Sequence, residues 1–98
     1  MLDNIEIAVL TKTNELATRC GLKVYDFVAT FKFVESTDAY RLSFEIPAQG
    51  NALRESRFDK MLEAVGVNKE GFLEGSYAQI IDALDVALEK SDRHRPRF

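Results

Sequence analysis

Residues 23–46, KVYDFVATFKFVESTDAYRLSFEI, decide the fold. Over 23–34 strict alternation puts Tyr25, Phe27, Ala29, Phe31 and Phe33 on one face, and Val24, Asp26, Val28, Thr30, Lys32 and Val34 on the other. A period of two is the signature of a strand, because successive side chains leave opposite faces of the pleat. Glu35, Ser36, Thr37 and Asp38 form a polar turn. After it, Tyr40, Leu42, Phe44 and Ile46 share a face while Arg41, Ser43 and Glu45 take the other. Pro47 stops the second strand, having no backbone N–H to donate. The reading is a long antiparallel hairpin with one aromatic side and one mixed side.

Helical patterns flank the hairpin. Upstream, Leu2, Ile5, Val9, Leu16 and Cys20 follow one stripe over residues 3–20, with Thr13 and Ala17 filling it and Ile7 and Leu10 lying off it. Asp3 with Glu6 reads as an N-terminal capping pair, and Gly21 as the stop. Downstream, residues 48–51 read as a loop in which Asn51 can cap the next helix. Phe58, Met61, Leu62 and Val65 then give a short amphipathic helix ending at Gly66. Residues 67–75 read as a connector. Ser76 with Gln79 is a capping box, opening a last helix carried by Tyr77, Ile80, Ile81, Leu84 and Leu88 to about Lys90. The expected fold is α+β, in the order α-β-β-α-α, with the helices covering the aromatic face.

At 98 residues, 46% of them hydrophobic, the chain has the size and composition of one globular domain, set here at residues 1–90. Residues 91–98 form a short basic tail, expected to be mobile, with Arg93, Arg95 and Arg97 against Asp92. The formal charge is −3 and that tail is locally +2, so the body is about −5. An acidic body disfavours a dedicated duplex binder, whose affinity comes from cations on phosphates, and equally a basic helix lying on a membrane. No apolar run reaches the ~18 residues of a membrane span. A single cysteine and an acidic opening with no leader pattern point to a reduced, cytoplasmic setting.

Catalytic chemistry is thinly supplied. Cys20 would need a base, but the one histidine, His94, lies in the tail, and a helix C-terminus disfavours a thiolate. One Cys and one His cannot make an ordinary zinc site. Residues 66–77 lie between helices like a calcium loop, yet only Asn68 and Glu70 fall at ligand positions. Asp26 and Glu45 could meet on the mixed face of the hairpin, with Lys32 and Arg41 beside them, but such groups more often make cross-strand pairs on a solvated sheet. Asp82, Asp85 and Glu89 read as the solvated face of the last helix. No catalytic residue, metal or cofactor is expected.

Binding is the reading left. A two-stranded sheet needs a third strand or a cover, and a long free edge invites pairing. Val24, Val28 and Val34 on the mixed face, with Ile7 and Leu10 off the first helix's stripe, are the candidate interaction surface. A non-enzymatic accessory or regulatory module acting by protein contact, self-associating as a homodimer, is therefore expected. The alternative is nucleic-acid binding through Arg54, Arg57, Lys60 and the tail arginines Arg93, Arg95 and Arg97. The helix–hairpin–helix order loosely resembles double-stranded-RNA-binding domains, but the pattern lacks their third strand and their Lys-rich helix start. Arg54 and Arg57 read equally well as surface charges paired with Glu55 or Asp59.

Overall fold

In the computed structural model, which describes residues 4–46 and 52–93 (the side chains of 92 and 93 excepted), the fold is of the expected α+β class. The order is α1 Asn4–Arg19, β1 Val28–Val34, a one-turn 3-10 helix Glu35–Thr37, β2 Ala39–Glu45, α2 Ala52–Val65, β3 Phe72–Gly75 and α3 Tyr77–Arg93. The sheet is antiparallel in the order β1-β2-β3. Val28 faces Glu45 at one end of the hairpin and Val34 faces Ala39 at the other. Asp38 closes the turn with φ of 52°, a left-handed conformation that Asp tolerates better than most residues.

Helix α1 ends as its sequence predicts. Gly21 takes φ of +84°, the Leu22 N–H reaches the Ala17 carbonyl at 2.8 Å, and the Gly21 N–H reaches Thr18 at 3.0 Å. These are the paired bonds of a Schellman cap, and its apolar partner Leu22 is buried. Thr13 is fully buried inside the helix because its hydroxyl donates to the Val9 carbonyl at 2.9 Å, leaving no polar group unsatisfied.

One layer of helices covers one face of the sheet. α1 packs on β1, α3 on β2 and β3, and α2 leans on α3 and α1. The core lies between, where Val9, Leu16, Leu42, Met61, Ile80 and Leu84 are almost wholly withdrawn from water. Burying such side chains stabilises the fold by roughly 1.5–3 kcal/mol each. The contacts Lys12–Asp85 and Arg19–Leu88 step the same way along both helices, so α1 and α3 run side by side in the same sense.

Four expectations need correction. The first strand begins at Val28, not Lys23. Asp26 donates its N–H to the Lys23 carbonyl and accepts the Lys23 N–H on its carboxylate, both at 2.9 Å, which closes a turn and leaves Val24 and Tyr25 exposed. The stretch 67–75 contains a third strand. Asn68 Oδ1 accepts from the Glu70 and Phe72 N–H groups, and Gly71 at φ of +88° completes a tight turn into β3. Phe33 is on the covered face by alternation yet 48% exposed, next to the turn end of the hairpin. Its ring meets Tyr40 edge-on at 5.2 Å, while Phe31 stacks flat on Tyr40 at 5.0 Å. Finally, α3 continues to Arg93 rather than ending near Lys90. The Asp3 cap, the 48–51 loop with Asn51, and residues 94–98 of the tail lie outside the described residues.

Candidate functional site

The sheet face away from the helices carries Val28, Thr30, Lys32 and Val34 from β1, Ala39, Arg41, Ser43 and Glu45 from β2, and Phe72 and Glu74 from β3. None of these ten is buried. Lys32 and Arg41 face each other across β1 and β2, a like-charge pair that is unfavourable alone. β3 resolves it: Arg41 Nη2 and Nε both donate to Glu74 Oε2, at 2.7 and 3.1 Å, and the guanidinium lies 4.1 Å over the Phe72 ring. Phe72 and Glu74 went unnoticed in the sequence because their strand is four residues long, too short for alternation to register.

At the sheet's edge, β1 pairs with β2 on one side, and no strand among the described residues pairs with its other side. Four of the five candidate surface residues lie on the side of that edge. Val28, 53% exposed, and half-buried Val34 sit at the two ends of β1 on its outer face. On α1, Lys12 and Arg19 point to α3. At about 100° per residue, Leu10 lies about 160° around the helix from Lys12 and Ile7 about 140°. Both therefore sit on the flank away from α3, above the open edge, and Ile7 is 47% exposed. Val24 belongs elsewhere, on the exposed turn before β1.

Of the alternative set of cations, the two arginines of α2 are engaged within the fold among the described residues. Arg54 approaches Asp26 at 3.8 Å, and Arg57 donates to the Gly21 carbonyl at 3.1 Å, so both tie α2 to the connection between α1 and β1. Lys60 is exposed, close enough to Cys20 to act on its thiol. Arg93 is the last residue of α3, and Arg95 and Arg97 lie outside the described residues. The third strand that a double-stranded-RNA-binding order needs is present, but the helix after it opens Ser76-Tyr77-Ala78-Gln79-Ile80, without a basic residue.

The catalytic candidates are also dispersed. Asp26 is held in its turn, beyond the paired strands, while Glu45 faces Val28. An open groove lined by Val28, Phe44, Ile46 and Phe58 contains Glu45 as its one titratable group among the described residues. Cys20 is half-buried, and that burial pushes its thiol pKa up, outweighing a hydrogen bond with Ser91 and the charge of Lys60. Asn68 Oδ1, one of the two calcium-type ligands, is committed to two backbone donors. Asp85 is bound to Lys12 at 2.6 Å rather than merely solvated. No helix among the described residues is long and apolar enough to cross a membrane. No known protein family, curated protein or solved structure matches this chain.

Proposed function

We propose that this chain is a non-enzymatic accessory module that works by protein contact, self-associates as a homodimer and operates in the cytoplasm. The observation that carries the reading is the seven-residue edge of β1, with an unpaired side among the described residues and apolar groups above and below it. Backbone donors and acceptors along such an edge are satisfied by water or by another strand, and a strand adds the burial of Ile7, Val28 and Phe33. Binding is favoured over catalysis because the titratable candidates are dispersed. Protein is favoured over nucleic acid because Arg54 and Arg57 are engaged within the fold and the sheet's open face balances Lys32 and Arg41 with Glu45 and Glu74.

Native mass spectrometry at low and moderate salt tests this directly. The expected result is a dimer mass that persists as salt rises, with duplex RNA and DNA giving no shifted band in gels. A monomer at micromolar concentration removes self-association. Duplex binding that weakens steeply with salt would replace the proposal with the nucleic-acid reading.

A further inference from the structure

Strand β1 is self-complementary in one register. When two copies of an edge strand pair antiparallel about a two-fold axis, facing residues must share a face of the joint sheet, so the axis passes through a residue facing itself. Centring on Phe31 brings all seven residues of β1 into the pair. Centring on Thr30 keeps only 28–32 paired. Centring on Lys32 keeps only 30–34 and sets the strand's one charge against its own copy. With Phe31 at the centre, Lys32 faces Thr30 and Val28 faces Val34 on the outer face, each twice. On the helix face, Phe33 lies opposite Ala29, a large ring beside a small side chain, again twice.

Exposure follows the same seam. Of the seven exposed large apolar side chains among the described residues, three (Ile7, Val28 and Phe33) border this edge. α1 packs on β1, and its flank holding Ile7 and Leu10 faces away from α3, so the α1 helices of two copies would meet along that flank.

We infer that the occupant of the β1 edge is a second copy of this chain, joined β1 to β1 with Phe31 facing Phe31. The product is a continuous six-stranded antiparallel sheet with every helix on one side and an unbroken open face on the other. This names the partner of the surface proposed above and rests on that reading.

The test is cross-linking in a Cys20→Ser background. Val28→Cys with Val34→Cys places two thiols directly across the seam. Within one chain they sit six residues apart on one strand, about 20 Å, beyond the reach of a disulfide. Mild oxidation should give a covalent dimer from the double variant and none from either single variant, whose thiol is about 20 Å from its own copy. Exposed Thr30 supplies a second readout that leaves the monomer fold intact. Thr30→Lys sets a like charge opposite Lys32 twice and should weaken the dimer roughly 2- to 30-fold, whereas Thr30→Glu should tighten it. Both effects should fade at high salt. Cross-linking of Val28→Cys alone would overturn the register. A dimer mass without cross-linking of the double variant would overturn the seam while self-association stands. A monomer mass would overturn both.

Discussion

Gly21 shows how one residue can terminate a helix and seat another. Its φ of +84° is a conformation that costs a residue with a Cβ about 1–2 kcal/mol. A Cβ there would also come within 3.0 Å of Arg57 Nε, the side chain that donates to the Gly21 carbonyl. Gly21→Ala should therefore destabilise the protein by about 1–2 kcal/mol in urea unfolding. Arg57→Ala alone should cost about 0.5–1.5 kcal/mol, the range of an ordinary hydrogen bond. The double variant should cost less than their sum, since displacing Arg57 is part of what Gly21→Ala does. An additive result would mean that the two residues act independently. The stop at Gly21 was legible in the sequence, because helices commonly end on a left-handed glycine; the role of Arg57 was not, since 36 residues separate them in the chain.

Among the elements, α3 is the most locally determined. Ser76 and Gln79 form the reciprocal box their spacing predicts: the Gln79 N–H donates to Ser76 Oγ at 3.1 Å and the Ser76 N–H to Gln79 Oε1 at 2.8 Å. Ser76→Ala should cost about 1 kcal/mol of stability by thermal or urea unfolding, with Ser76→Asp retaining most of it. Loss from both variants alike would show that the hydroxyl is not acting as a cap. Gly75, just before the box, has a packing reason to lack a side chain, since a Cβ there would sit 2.5 Å from Gln79 Oε1. β3 is the opposite case. Phe72-Leu73-Glu74-Gly75 is too short and too close to glycines to read as a strand by itself. It forms because β2 offers a second row of donors and acceptors, and because Leu73 can cover the core face while Glu74 meets Arg41.

Across the whole molecule, Lys12–Asp85 joins the first helix to the last at 2.6 Å. The hydrogen bond to Asp85 raises the Lys12 pKa above its ordinary 10.5, outweighing an opposing effect of desolvation. A cation whose pKa is higher in the folded state adds stability that is complete below pH 10.5 and is lost as pH climbs through the raised value. Lys12→Met should thus lower stability at neutral pH, and the gap to the parent should close above pH 10.5, measured by urea unfolding across alkaline pH. A gap that stays constant would assign the loss to packing of the lysine stem instead.

By itself, the sequence determined what depends on neighbours in the chain: the hairpin and its turn, the cap at Gly21, the box at Ser76 and the α+β class. These follow from side-chain period and local hydrogen bonds. Tertiary structure alone decided the third strand, the exposure of Phe33, and the anchoring of Arg54 and Arg57. It also decided that Ile7, Leu10, Val28 and Val34 border one open edge. Each of those depends on which segments, distant in the chain, come to lie side by side, and a pattern of period two or 3.6 carries no information about that.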